Sequence, residues 1–221
     1  MKPSRKKTGP SGPAVFVGIT GASGSVIGLR LMECLIEAGR AVHAVMSESG
    51  ALTLACELQL KGKLPSLKGL MSRRRPDLNW GGLREYSNRD FFAPAASGTS
   101  EVEAVAVVPC SMKTLSSIAN GYSETLIARA ADVALKEHKR CVLVPRETPL
   151  NLIHAENLLK VMRAGARVVL PVPGYYAYPR TIDDVTDYVV GRVLDQLDVP
   201  HSLLRRWGKE TPGSREVSGR T

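Results

Sequence analysis

The stretch Val15-Phe-Val-Gly-Ile-Thr-Gly-Ala-Ser-Gly24 joins an apolar, largely β-branched run to a turn of small residues. A strand over 14–19 that empties into a helix opening at Ser25 accounts for both halves. Gly21 and Gly24 permit the tight turn, and Leu29, Met32, Leu35 and Ile36 then fall on one helical face. The first turn of such a helix leaves amide donors without intrahelical acceptors, aimed over the end of the strand. A phosphate or the polar edge of a flavin would satisfy them.

Working outward, residues 41–46, 104–108, 141–144 and 167–170 read as further strands, and 50–60, 113–120, 124–137, 150–163 and 181–197 as helices. This alternation predicts a three-layer α/β fold of the Rossmann or flavodoxin kind, a parallel sheet with helices on both faces. Residues 61–100, punctuated by Gly62, Pro65, Gly69, Pro76, Gly81, Gly82, Pro94 and Gly98, read as a long irregular segment. In such sheets ligands lie beyond the carboxyl ends of the strands. There the sequence places Gly21 to Ser23, Ser47, Ser111 to Thr114, the pair Arg146-Glu147, and the run from Pro171 to Tyr178.

The 221 residues suit one domain over 14–199, flanked by a basic, disordered tail at 1–13 and a C-terminal tail at 200–221. The net charge of +9 points to nucleic acid only until it is located. Lys2, Arg5, Lys6 and Lys7 carry +4, and the segment after Pro200 carries five positive charges against two negative, so the body keeps only +2. A nearly balanced body argues against a nucleic-acid groove. Arg73-Arg74-Arg75, in a Gly- and Pro-bearing stretch, reads as solvated. Cys34, Cys56, Cys110 and Cys141 show no metal-ligand spacing, so reduced thiols and no metal are expected. No apolar run is long enough to span a bilayer or to follow the basic N-terminus as a secretory signal, so a cytoplasmic protein with no membrane partner is expected. His43 within a strand and His154 on a helix read as structural.

The stretches GITGASGSVIGLRL (18–31), PAASGT (94–99), VVPCSMKTLSSIANGYSETLIARAADVALKE (107–137), VLVPRETPLNLIHAENLLKVMRAGA (142–166), PVPGYYAYPRTIDDVTDYVVGRVLDQL (171–197) and LLRRWG (203–208) together resemble the UbiX-type flavin prenyltransferases. The pairing of RAADVALKE with VPRETPL is the most specific part of the likeness. The resemblance implies transfer of a dimethylallyl group from dimethylallyl monophosphate to reduced FMN, closing a fourth ring on the isoalloxazine. The prenylated FMN then serves a UbiD-type decarboxylase.

The same resemblance implies FMN contacts from Gly21, Ala22, Ser23, Ser47, Ser111, Met112, Lys113, Thr114 and Arg129. It implies prenyl phosphate contacts from Lys136, Arg146, Tyr176 and Arg192, with Glu147, Glu57 and Ser23 near the reacting centre. Phe91 and Phe92 stand where many members carry a tryptophan, and Glu48 stands where a lysine often follows the second-strand serine. Members commonly form homo-oligomers, typically dodecamers, in which the prenyl site is completed across subunits.

The chemistry suits these residue types. Breaking an allylic carbon–phosphate bond without a metal needs fixed positive charge on the departing oxygens, and Lys136, Arg146 and Arg192 supply it. An aromatic or flavin face suits the allylic cation, and either Glu147 or the departing phosphate can take the proton lost on alkylation. Three rivals are weaker, one of them a non-enzymatic flavin- or partner-binding module in which the set of Lys136, Arg146 and Arg192 would be incidental. A nicotinamide-dependent oxidoreductase fits Glu48 as a ribose-binding acid, but no Tyr-x-x-x-Lys pair exists. An FMN-dependent decarboxylase of the related type lacks its histidine, since none occurs between His43 and His138.

Overall fold

The computed structural model describes residues 12–62 and 64–204. Most of the expected N-terminal tail, and the C-terminal tail from Arg205 onward, lie outside the described residues. Six strands, β1 (Gly12–Ile19), β2 (Arg40–Met46), β3 (Leu83–Tyr86), β4 (Val102–Cys110), β5 (Arg140–Pro145) and β6 (Arg167–Val168), form one sheet in the order β3-β2-β1-β4-β5-β6. Every adjacent pair is parallel. The helices are α1 (Ser25–Glu37), α2 (Glu48–Glu57), α3 (Leu67–Arg74), α4 (Met112–Ala119), α5 (Leu126–Lys136), α6 (Leu152–Arg163) and α7 (Ile182–Gln196).

Alternation along β1 sends Val15, Val17 and Ile19 into a core shared with α1, α2, α3 and α7. Ala14 and Phe16 point the other way, into a core with α4, α5 and α6. A sheet buried on both faces needs apolar residues at every strand position, which is why β1 and β4 read as unbroken apolar runs. The strand order reverses direction at β1 and β4, the point at whose carboxyl ends sheets of this kind hold their ligands.

Residues 61–100 depart from the expected irregularity. Ser66 caps α3 by accepting the Gly69 N–H, and α3 buries Leu67, Leu70 and Met71. The chain then supplies β3 as the outer neighbour of β2. Arg74 and Arg75 are paired rather than merely solvated: Arg74 reaches Glu33 at 3.2 Å, and Arg75 reaches Glu37 and Asp77 at 2.7 Å each. Glu33, 4% exposed, also meets Arg30 at 3.1 Å, and Arg30 reaches Asp187 at 2.7 Å, so one charge network ties α1 to α3 and α7. β1 starts at Gly12, inside the expected tail, and β6 keeps only two of the four residues expected over 167–170.

Candidate active site

Three turns converge at the carboxyl ends of β1 and β4. The β1–β4 register runs only to Gly18 and Val107, and beyond it Thr20 continues the tie. Its N–H and its hydroxyl both donate to the Pro109 carbonyl, at 3.2 and 2.8 Å, and its Oγ1 accepts the Ser111 N–H at 2.7 Å. Ser111 then caps α4 by accepting the Thr114 N–H at 3.3 Å and donates to the Thr114 hydroxyl at 3.1 Å. At the end of β2, Ser47 caps α2 through the Gly50 N–H at 3.0 Å, and its hydroxyl lies 3.2 Å from that of Ser49. Ser49 presses on the β1 turn: a Cβ at Gly21 would stand 2.5 Å from its Oγ and 2.6 Å from its Cβ, so a side chain there would have to displace Ser49. Ala22 is buried and Ser23 is exposed. Met112 and Lys113 occupy the first turn of α4, where amide donors have no intrahelical acceptor.

Two of the amides at the start of α1, those of Gly24 and Ser25, are already taken, contrary to the expectation of open donors at this turn. Glu57, closing α2, accepts the Gly24 N–H at 2.6 Å and the Ser25 N–H at 2.9 Å. The chain's own carboxylate therefore takes two donors of the α1 terminus, while the starts of α2 and α4 and the exposed Ser23 offer further ones. Glu57 thus touches the site through backbone.

Arg146 and Glu147 follow β5 and are exposed; the Arg146 N–H donates to the Cys110 carbonyl at 3.3 Å, which holds this pair beside the end of β4. Phe91 and the fully exposed Phe92 lie on the loop after β3. Arg129, midway along α5, donates to the Ala96 carbonyl at 3.3 Å and pairs with Asp132 at 3.0 Å. Lys136 ends α5, paired with Glu137, at the opposite edge of the sheet. That placement is fixed by Lys139, whose Nζ meets the carbonyls of Gly98, Ser100 and Val102 at 2.8 to 3.2 Å, where β4 begins. Lys136 is therefore about a strand's length from Arg146, roughly 20 Å for a strand the length of β5. Arg192 pairs with Asp195 at 2.9 Å and lines a cavity of about 430 Å³ with Tyr188, Leu170 and Arg167. The Tyr176 hydroxyl lies 2.9 Å from that of Tyr188, on the same side. One chain thus gathers Gly21 to Ser23, Ser47, Ser111 to Thr114, Arg146 and Glu147, and holds Lys136 and Arg192 elsewhere.

Thr20, Ser49 and Lys139 went unassigned in the sequence. A threonine closing an apolar strand and a second serine two residues after Ser47 were the available signals; Lys139 offered none. Other side chains are structural. His154 completes a capping box with Asn151 at the start of α6. Burial pushes the Cys110 thiol up, and the Cys141 thiol up to about 12, so neither ionises near neutrality. Among the described residues no cluster of His, Cys, Asp or Glu is placed to hold a metal, and no helix is long and apolar enough to cross a membrane.

The Flavoprotein family model matches residues 3–194. The flavin prenyltransferase UbiX of Methanocaldococcus jannaschii is 43% identical over 199 residues, covering 88% of this chain and 98% of that one. The chain belongs to the UbiX flavin prenyltransferase family. The crystal structure of AnUbiX (PadA1) in complex with FMN and dimethylallyl pyrophosphate is 36% identical, with a TM-score of 0.77, covering 90% of this chain and 100% of that one. A dodecameric FMN-dependent UbiX-like decarboxylase from Escherichia coli O157:H7 is 38% identical, again with a TM-score of 0.77, covering 89% and 100%. As a UbiX-family member the chain is an enzyme, a flavin prenyltransferase, and the nicotinamide-dependent reading falls away.

Proposed function

We propose that this UbiX-family enzyme transfers a dimethylallyl group from dimethylallyl monophosphate to reduced FMN, yielding prenylated FMN for a UbiD-type decarboxylase in the cytoplasm. The observation that carries the reading is the convergence of three hydroxyl-lined turns at the switch point, with Arg146-Glu147 at the neighbouring strand end.

The residues fit FMN. The bare backbone at Gly21, the exposed Ser23, the serines at 47 and 111, Thr114 and the first-turn amides of Met112 and Lys113 supply donors for a phosphate and for the polar ring edge. Reduced FMN, when bound, supplies the electron-rich ring that accepts the prenyl group. Arg146 offers a bidentate fork to the departing phosphate, and Glu147 beside it holds or releases the proton displaced from the ring. Arg129, Lys136, Tyr176, Arg192 and the ring of Phe91 act on a site shared between copies. Two facts support that assignment: Lys136 stands across the sheet from Arg146, and the Escherichia coli relative is dodecameric. Since AnUbiX was solved with the pyrophosphate ester, both esters belong in the test.

The purified protein is incubated without oxygen with reduced FMN and either ester, and the flavin is examined by mass spectrometry. The expected outcome is a flavin carrying one added five-carbon unit. Unchanged flavin with both esters rejects the reading.

A further inference from the structure

Resting on the reading that FMN binds at the carboxyl ends of β1 and β4, we infer that Thr20 is a positioning residue that sets the gap between the two turns flanking the flavin. Its hydroxyl is the junction of two bonds, to the Pro109 carbonyl at 2.8 Å and from the Ser111 N–H at 2.7 Å. The bonded residues lie 89 and 91 positions along the chain, so no local turn preference aligns them. Thr20 is 1% exposed, so water does not stand in for a missing hydroxyl.

Both ends of the junction enter the candidate site directly. Gly21, Ala22 and Ser23 follow Thr20, and Ser111 caps the helix that presents Met112, Lys113 and Thr114. With its hydroxyl engaged on both sides within the fold, Thr20 acts by holding the Ser111 amide, and with it the start of α4, at a fixed distance from the β1 turn. Valine has nearly the same shape but neither donates nor accepts, so it leaves the Ser111 N–H without an acceptor inside the fold. Serine keeps the hydroxyl and loses only the methyl group.

Full-length wild type, Thr20→Val and Thr20→Ser are titrated with FMN by fluorescence quenching, and the visible circular dichroism of the bound flavin is recorded. Thr20→Val is expected to weaken FMN binding about ten- to a hundredfold and to alter the flavin dichroism. Thr20→Ser is expected to bind within about threefold of wild type with an unaltered spectrum. Val193→Ala, buried in α7, serves as the stability control: it is expected to lower the urea midpoint and leave both flavin readouts unchanged. Wild-type affinity and spectrum in Thr20→Val overturn the inference. So does a Thr20→Ser that weakens binding as a lost hydroxyl would, and this arm decides alone if the valine variant does not fold. A wild type that does not bind FMN rejects the parent reading, and the inference with it.

Discussion

Glu57 illustrates how one side chain changes what a turn can bind. The sequence presented the Gly-Ala-Ser-Gly turn as an open anion site, yet both oxygens of this carboxylate already meet the amides of Gly24 and Ser25. The partners are 33 and 32 residues apart, a separation that no motif encodes. Glu57→Ala is expected to lower stability by about 1–3 kcal/mol, read from urea unfolding, with Glu57→Gln recovering part of the loss. His43 is the second residue whose surroundings decide its behaviour. It is 1% exposed, its Nδ1 has no hydrogen-bond partner, and its ring stands 5.2 Å from that of Tyr86. Burial, then the charge of Arg84, holds its pKa below the usual 6.5, against a smaller opposing pull from Glu101. The unfolded chain therefore binds a proton below that value which the folded chain resists. The contribution of His43 is complete above pH 6.5 and is lost as pH falls beneath it. Urea unfolding between pH 5 and 7 is expected to show this slope in the wild type and a shallower one in His43→Phe. The strand-end hydroxyls and Arg146-Glu147 were legible because a parallel sheet exposes its ligands at one known edge. The Thr20 junction was not, because its meaning lies in which turn it touches.

At the scale of elements, α1 packs tightly against the end of β4. A Cβ at Gly28 would run into the Val108 carbonyl oxygen, so α1 must move off the sheet to admit one. Gly28→Ala is expected to destabilise by about 1–3 kcal/mol in a urea titration, although alanine is the better helix former by about 1 kcal/mol. The flavin readouts should weaken too, because α1 carries the β1 turn. The strands β1, β2, β4 and β5 and the helices around them were readable since burial on both faces imposes apolar runs, and burial on one imposes helical periodicity. α3 and β3 escaped for a physical reason. One is two turns long and the other four residues, too short for a period to show among the glycines and prolines, and both draw order from α1 and β2. The arginine run illustrates the same limit, since its acids at Glu33 and Glu37 come from a distant helix.

For the whole molecule, the separation of Lys136 from Arg146 predicts a cooperative defect. Lys136→Ala and Arg146→Ala are each expected to be nearly inactive as pure proteins. Co-expressed at equal levels, they should regain about a quarter of the wild-type rate, since that fraction of shared sites draws both intact side chains from different copies. No recovery would place both residues in one chain's site. The sequence suggested assembly only through likeness to a family, because distances between ends of a sheet are not written in local patterns.

The sheet also ends bluntly on both flanks. β3 contributes four residues and β6 two, so neither rim offers enough free backbone to template another strand. Any association between copies of this chain is thereby steered toward contacts through helices and loops, and away from the endless ribbons that open rims would seed.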